Sequence, residues 1–316
     1  MSGQNIAPGE LIVGIDIGGT KTHLRAMSLP GGDERDLILP SREWRTRDWI
    51  EDANGLLALV TRLSGDARIA AIGVGAHGCD DGDECMALES ALRARTQASV
   101  AVVNDAELMP LALGLPGQIG VVAGTGSIAV CRPSPDRMMV AGGWGWIVGD
   151  DGSAPALVRE AVRAVTRHLD RGGDPDEPLA RAILRTLEVK SVPRLGSTLG
   201  QLRSAADVGA HAPAVFEAAE QGSQLAAQVI RDGGRMLAGL AAVLDQRGAC
   251  ASHVVAGGTV IVTQPRLWLS FMEALELSAP HVTAHLFTRT PVEGACYLAR
   301  SLASPAAGPA EPVRGR

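Results

Sequence analysis

Lysine is almost missing from this chain: of 29 basic residues, only Lys21 and Lys190 are lysines. A compact ammonium kept at Lys21, in a chain that otherwise uses arginine, hints at a place where a forked guanidinium fits badly. Aromatic residues make up only 3%. The core therefore has to be Ala, Val and Leu packed around many glycines, 38 in all, which suits parallel α/β layers better than an aromatic-rich sandwich. There is no basic excess. The net charge of −6 argues against nucleic acid or an anionic membrane as a partner, since both need a basic face. No apolar run approaches membrane-spanning length and no signal-like segment opens the chain, so a cytoplasmic protein is expected. Cys79, Cys85, Cys131, Cys250 and Cys296 are scattered without C-x-x-C spacing. They read as reduced, mostly buried thiols, neither a zinc site nor a disulfide framework. The G-x-x-x-x-G-K-[ST] phosphate loop is also absent. At 316 residues, two domains are the default.

What is present is concentrated at Leu11–Thr22, where an apolar run reaches Asp16, then Gly18-Gly19, then Thr20-Lys21-Thr22. This reads as a buried strand entering a tight hairpin. Gly18 and Gly19 are expected to take backbone angles closed to other residues and to let a phosphate approach main-chain N–H groups. Asp16 stands where a carboxylate could hold magnesium, directly or through its waters. Taken alone, the segment is equally compatible with an ordinary glycine hairpin and a solvated aspartate.

The periodicity predicts extended segments at His23–Leu29 and Leu37–Trp44, joined by a Pro30-Gly31-Gly32-Asp33 turn. A helix capped by Asp48 follows, then strands at Ile69–Val74 and Val100–Val103 flanking a helix through Met86, Leu88 and Leu92. The same grammar restarts at Ile119–Ala123, which runs into Gly124-Thr125-Gly126-Ser127 and a hairpin. Two like domains facing each other would place both turns on one cleft. Residues 153–248 read as helical, with Ser153 as a cap and a long helix from Ser223 to Arg247 bearing Leu225, Val229, Met236, Leu240 and Leu244. In that helix Gly233-Gly234 is either a weak point or a close contact. A strand at His253–Ala256 enters Gly257-Gly258-Thr259, and Thr263 and Pro265 open another helix. Glu293–Leu302 reads as the last helix. Residues 1–9 and the Ala/Pro/Gly-rich stretch from residue 303 read as tails, the latter disordered.

Four elements carry chemistry together: the turns at Asp16–Thr22 and Gly124–Ser127, Asn104-Asp105-Ala106 at the carboxyl end of a buried strand, and Ala256–Thr259. Open α/β sheets place ligands at such strand ends, although Asp105 could equally cap a helix. Between them lies Gly142-Gly143-Trp144-Gly145-Trp146-Ile147-Val148-Gly149-Asp150-Asp151-Gly152-Ser153. Its small residues admit a ligand, its carboxylates can accept from hydroxyls, and its indoles can stack on sugar faces.

These motifs resemble the sugar kinase/Hsp70/actin superfamily, on the branch of N-acetylglucosamine kinase and the BadF/BadG/BcrA/BcrD-type ATPases, from about Leu11 to Leu302. Gly-Gly-Trp-Gly followed by Gly-Asp-Glu-Gly-Ser is the hexosamine-kinase signature of that branch, and it stands here as Gly142–Ser153 with Asp151 in the glutamate position. The resemblance implies an α/β chain of two ribonuclease-H-like domains (the actin-like ATPase fold) facing a central cleft. It divides the chain into residues 1–114, completed by a C-terminal helix at 290–302, and residues 115–289 with a helical insertion. It implies ATP and Mg²⁺, a small-molecule amino sugar, and a homodimer. Asp16 would serve the metal and Asp105 would be the catalytic base. Gly18, Gly19, Thr20, Lys21, Thr22, Gly124, Thr125, Gly126, Ser127, Gly257, Gly258 and Thr259 would bind the nucleotide. His77, Asp105, Thr125, Gly143, Trp144, Asp150 and Ala154 would meet the sugar. The implied reaction is phosphorylation of the 6-hydroxyl of N-acetylglucosamine or glucosamine. A partner-coupled ATPase and a sugar-binding protein without turnover are the alternatives, the second disfavoured because Asp16, Asp105 and both turns are retained. No cysteine has the glycine-flanked setting of an iron–sulfur activator, and the clustered-cysteine zinc site of the repressor-type kinases is missing.

Overall fold

A computed structural model of the chain describes residues 10–29 and 32–304. The tails expected at residues 1–9 and beyond Ser304, and Pro30 and Gly31 of the expected turn, lie outside the described residues. In chain order the elements are β1 (Leu11–Ile17), β2 (Lys21–Ser28), β3 (Glu34–Pro40), α1 (Trp49–Ser64), β4 (Ile69–Ala76), α2 (Gly82–Arg93), β5 (Ser99–Asn104) and α3 (Leu108–Ala112). Then follow β6 (Ile119–Ala123), β7 (Ser127–Ser134), β8 (Arg137–Gly142), α4 (Ala154–Asp170), α5 (Pro178–Thr186), α6 (Leu195–Gln201), α7 (Ala205–Gly209) and α8 (Pro213–Glu220). The chain continues through α9 (Gln224–Gln246), β9 (His253–Gly257), α10 (Thr259–Thr263), α11 (Pro265–Ser278), β10 (Thr283–Leu286) and α12 (Val292–Ala303). Two compact units result: one takes the chain up to Leu115 and again from Arg289, the other runs from Pro116 to Thr288. None of the described helices is long and apolar enough to cross a membrane.

The first unit holds a five-stranded sheet in the order β3-β2-β1-β4-β5. The β1–β2 and β2–β3 pairs are antiparallel, and β1–β4 and β4–β5 are parallel. The second unit has its own five-stranded sheet, in the order β10-β9-β6-β7-β8. Read from its other end this order repeats the first strand for strand, with the same alternation of pairing. The repeated grammar of the sequence is thus a repeated topology, and the α/β fold class holds.

In the first unit α12 lies directly on β1 and β4, and the contact is made of residues with little or no side chain. A methyl at Gly14 would stand 2.5 Å from the Cys296 nitrogen, and one at Gly73 2.3 Å from the Ala295 carbonyl oxygen. A methyl at Gly294 would stand 1.9 Å from the Leu108 carbonyl oxygen. The end of the chain is therefore built into the first sheet. In the second unit the core is largely Ala, Val, Leu and Ile, with Phe271 the largest fully buried side chain. Gly233-Gly234 proves to be a close contact: a methyl at Gly234 would come 2.6 Å from Cβ of Ser270.

Several local expectations change. The third strand ends at Pro40 rather than running to Trp44, because Ser41 turns back to bind the β1–β2 hairpin: its nitrogen donates to the Thr20 oxygen at 3.0 Å and its hydroxyl to the Gly18 oxygen at 2.8 Å. Met86 and Met236 are 58% and 50% exposed and belong to no core. The short helix α10 and the edge strand β10 were not legible, since five and four residues carry too little periodicity to read. Asp48, Ser153 and Ser223 do cap α1, α4 and α9, each accepting from helix N–H groups.

Gly73→Ala should place a methyl against backbone that cannot move aside, and is predicted to destabilise by about 1–3 kcal/mol or more. Gly82→Ala is the control, since nothing lies within 4 Å of the position. Denaturant midpoints of the two variants and the wild type check this. Equal midpoints for Gly73→Ala and wild type would mean that α12 can lift away at little cost.

Candidate active site

The register of the first sheet brings three segments to one edge. Ile17 pairs with Ala76, and Ala76 with Asn104, so Gly18, His77 and Asp105 leave the sheet side by side at the carboxyl ends of β1, β4 and β5. The His77 nitrogen donates to the Ile17 oxygen at 2.8 Å and locks two of the exits together.

Asp16 lies just inside this edge and is only 8% exposed. Burial, then the neighbouring charge of Asp105, pushes its carboxyl up to about 7, against a countering pull from Lys21. Asp105 is also raised from the ordinary carboxylate value. Burial is the main cause, the His77 charge opposes it, and Asp80 adds to it. Nδ1 of His77 is 3.8 Å from Oδ2 of Asp105, and the imidazole is about half exposed.

Asp105 is not a helix cap. Asn104 fills that place: its Oδ1 accepts from the Ala106 nitrogen at 2.9 Å, while Oε1 of Glu107 accepts from the Asn104 nitrogen at 3.0 Å. This is a capping box, and its Asn-x-x-Glu spacing was readable in the sequence. The box takes the capping role from Asp105, whose carboxylate meets the backbone N–H groups of Ala106 and Asp105 and the His77 ring. Nδ2 of Asn104 further donates to the Cys79 oxygen and to Oδ1 of Asp80, both at 3.0 Å. The acidic stretch after His77 is committed in the same way: Asp81 caps α2 by accepting from the Glu84 nitrogen, and Glu84 accepts from the Asp80 nitrogen. It is a capping cluster rather than a free anionic rim.

The hairpin itself departs from expectation in two ways. Neither Gly18 nor Gly19 adopts a positive φ. Their value is space, since a methyl would lie 3.0 Å from the Lys21 oxygen at Gly18 and 3.4 Å from the His77 ring at Gly19. Thr22 does not face a ligand. It is fully buried, its hydroxyl lies 2.9 Å from Oγ of Ser41, and it accepts from Nε1 of Trp44 at 3.0 Å. Thr20 and Lys21 remain exposed at the tip.

In the second unit, the turn between β6 and β7 is closed by Gly124 N–H donating to the Gly126 oxygen at 2.9 Å. Thr125 is exposed, but Ser127 is buried and its hydroxyl donates to the Asp151 oxygen at 3.0 Å, so it serves the loop rather than an open face. Gly258 has φ 101°, and a methyl there would stand 2.5 Å from the Ala123 oxygen, so only glycine lets β9 and β6 turn out together. Gly257 is buried as the last residue of β9, whereas Thr259 is exposed.

Gly124, Thr125 and Thr259 line a cavity of about 300 Å³ in this unit, together with Ala154 and residues of α7 and α8 including Gly209 and Phe216. Ala154, expected beside the sugar loop, thus lines the cavity with the phosphate-turn residues. The contribution of α7 and α8 was not foreseen: Ala205, Ala206, Gly209 and Ala212 leave room by being small, and small residues carry no signal in an alanine-rich chain.

The loop from Gly142 to Ser153 stands beside the Gly124–Ser127 turn. The Gly143 nitrogen donates to the Ser127 oxygen at 2.9 Å. Asp150 has φ 53°, and its Oδ1 accepts from the Gly145 nitrogen at 3.2 Å. Burial raises the Asp150 carboxyl, against lowering by N–H groups of Gly145 and Ser127. Trp144 is 78% exposed, whereas Trp146 packs against Val158, Val208 and Ala212. No disulfide joins any two of the five cysteines, and only Cys250 is exposed.

No protein-family model matches the chain. A curated relative, the N-acetylmuramic acid/N-acetylglucosamine kinase of Clostridium acetobutylicum, is 28% identical over 309 residues, covering 92% of this chain and 98% of the relative. Among solved structures, a Chromobacterium violaceum protein provisionally called an N-acetylglucosamine kinase superposes with a TM-score of 0.63 at 22% identity, covering 93% of this chain and 98% of that one. A Streptomyces griseus ROK-family glucokinase, solved with glucose and AMPPNP, gives a TM-score of 0.56 at 21% identity, covering 92% and 99%. The resemblance read from the motifs thus extends along nearly the whole chain, and the protein is a kinase with the actin-like ATPase fold, similar in sequence to the N-acetylglucosamine kinase group.

Proposed function

We propose that the protein is an ATP-dependent hexosamine kinase of the cytoplasm that phosphorylates the 6-hydroxyl of N-acetylglucosamine or glucosamine, with Asp105 as general base. The observation that carries this reading is the Asn104–Glu107 capping box, which relieves Asp105 of capping and leaves a raised carboxylate at the carboxyl edge of the sheet, beside Asp16 and the Gly18–Lys21 turn. A carboxylate with a raised pKa is a stronger proton acceptor than a solvated one. Asp105 accepts the proton of the attacking hydroxyl, and His77 steadies the charge of the carboxylate. Lys21 and Thr20 take the transferring phosphate at the hairpin tip, and Thr125 is the phosphate-turn hydroxyl of the second unit. The cavity lined by Thr259 and Ala154 suits the adenosine. Trp144, Gly143 and Asp150 receive the sugar ring.

Among the described residues no group of three or more His, Cys, Asp or Glu side chains could cage a metal. A single buried carboxylate, Asp16, suits Mg²⁺ as it binds with nucleotide phosphates, through one carboxylate and retained water. When bound, the ion would neutralise phosphate charge, and Asp16 would be the residue that holds it. The partner-coupled ATPase is the weaker reading, since the curated relative is named as a sugar kinase.

A second reading widens the acceptor to N-acetylmuramic acid, whose lactyl carboxylate needs a cation. The guanidinium of Arg47 lies over Gly78, next to His77: a methyl at Gly78 would meet Nη1 of Arg47 at 2.3 Å. Arg47 is exposed and holds φ 74°, an unfavourable backbone state for a long side chain.

Asp105→Asn should keep ATP and sugar binding while losing ~10²–10⁴-fold in turnover; near-normal turnover would remove Asp105 from catalysis. Asp16 titrates higher in the folded protein, up to about 7 from an ordinary 3.8. The folded state therefore binds the extra proton between those values, and the associated stability is present below pH 4 and lost as pH rises through 7. Without magnesium, Asp16→Asn should be more stable than wild type at pH 8 by roughly 4 kcal/mol at most, the equivalent of that shift. The difference should shrink toward pH 4 and on adding Mg²⁺. Denaturant melts at the two pH values check it, and equal stabilities at pH 8 would contradict the buried charge. On a panel of sugars, N-acetylglucosamine should be turned over best and glucosamine next. Glucose preferred over both would end the amino-sugar assignment, and N-acetylmuramic acid turnover lost selectively in Arg47→Ala would establish the wider acceptor range.

A further inference from the structure

The Gly142–Ser153 loop cannot hold its own shape. Gly142, Gly143, Gly145, Asp150 and Gly152 all lie at positive φ, from 53° to 84°. At its tip Trp144, Ile147 and Val148 are 78%, 73% and 79% exposed, so no packing fixes it there. The loop's own backbone bonds are few, chiefly Gly149 N–H to the Gly145 oxygen at 2.8 Å and Ser153 N–H to the Asp150 oxygen at 3.0 Å. Something outside the loop has to set its course.

Trp146 packs on Val158, Val208 and Ala212, and Ser127 holds Gly143 and Asp151, but the side chain that reaches the loop at most points is Arg159, one and a half turns into α4 and only 14% exposed. Its Nη1 donates to the Trp146 oxygen and, at 2.9 Å, to the Gly149 oxygen. Its Nη2 donates to Oδ1 of Asp151 at 2.6 Å, and its Nε to Oε1 of Glu160 at 2.9 Å. One planar fork therefore ties two carbonyls and a carboxylate from three points along the loop, a task no single ammonium can perform. Asp151 is the residue at which this chain departs from the hexosamine-kinase signature. Its carboxylate is spent on Arg159, while Asp150 turns toward the phosphate turn, where a methyl on Gly126 would stand 3.0 Å from Oδ2 of Asp150.

We infer that Arg159 is a positioning residue for the phosphoryl acceptor: through the Trp146, Gly149 and Asp151 contacts it sets the loop that presents Trp144 and Asp150. The inference rests on the reading of this loop as the amino-sugar site. Arg159 bonds Trp146, Gly149, Asp151 and Glu160 and no residue of the Gly124–Ser127 turn, so its effect falls first on the loop that receives the sugar.

The test compares Arg159→Lys and Arg159→Ala with Arg163→Ala, whose side chain is exposed and pairs only with Glu160. In steady-state kinetics the two Arg159 variants should raise KM for N-acetylglucosamine roughly 10- to 100-fold, the effect of losing charge-assisted hydrogen bonds. KM for ATP should stay within about twofold of wild type, since the cavity lined by Thr125 and Thr259 keeps its walls. Methylguanidine should partly restore the alanine variant. Amide hydrogen exchange on the free proteins should show residues 143–150 opening faster in Arg159→Lys, with α4 unchanged. Equal rises in both KM values, or a fall in kcat at constant sugar KM, would overturn the inference. If the wild-type protein turns over no amino sugar, the proposed substrate fails by itself, and the exchange measurement still decides Arg159. Unaltered exchange across residues 143–150 would remove its positioning role.

Discussion

The closeness of α12 to the first sheet is the contact on which the rest of that unit depends. Gly14 and Gly73 strip side chains from the centres of β1 and β4, and Gly294, Ala295 and Ala299 do the same for the helix. Backbone can then meet backbone at distances where a single methyl would collide. The layer this creates buries Ile12, Ala71 and Ala299 on one side of the sheet, with Val103, Leu108 and Ala295 clustered nearby. Because Gly294 also sits against Leu108, the same helix fixes the segment that begins with the Asn104–Glu107 capping box. Helix α12 thereby holds in place the segment that carries Asp105.

Within this frame the candidate site concentrates unfavourable charge. Asp16 and Asp105 are both withdrawn from water, and each raises or is raised by nearby carboxylates. Much of the polar surface around them is engaged in hydrogen bonds. Thr22, Ser41 and Trp44 form one hydrogen-bonded set, and Asn104, Asp80, Glu84 and Asp81 another. Asp16 and Asp105 belong to neither set, and they are the carboxylates proposed to serve a metal ion and an acceptor hydroxyl. Arg45 is the exception: its Nη2 donates to the His77 oxygen at 2.6 Å, while Nε and Nη1 are buried with no hydrogen-bond partner. A buried cation beneath the His77 loop offsets part of the carboxylate charge.

In the second unit α4 serves two places with one rigid element. Ser153 caps it, Ala154 at its first turn lines the cavity with Thr125 and Thr259, and Arg159 reaches the Gly142–Ser153 loop from the next. The spacing follows from helix geometry, since five residues advance about 7.5 Å along the axis. A displacement of α4 would therefore move a cavity wall and the loop together.

Much of the architecture was already legible in the chain. The apolar run ending in Asp16, the glycine–hydroxyl turns, the caps at Asp48 and Ser153 and the helix start at Ser223 are local signals, governed by neighbours a few residues apart, and they hold in the fold. The repeated strand–turn–strand order likewise became two sheets of matching topology. What local sequence could not decide was which way each hydroxyl and carboxylate faces. Thr20 and Thr22 flank the same lysine, yet Thr20 lies exposed at the hairpin tip while Thr22, inside β2, is sealed under Ser41 and Trp44. Asp105 and Asn104 are adjacent candidates for one cap, and register with β4 gives the cap to asparagine. Asp150 and Asp151 are adjacent acids, and only the arrival of Arg159 from α4 assigns one to the loop's frame and leaves the other beside the phosphate turn. Composition and local pattern determined the class of fold and the places where chemistry gathers. The direction of each functional side chain was decided by tertiary contacts, because it depends on partners that sequence distance does not reveal.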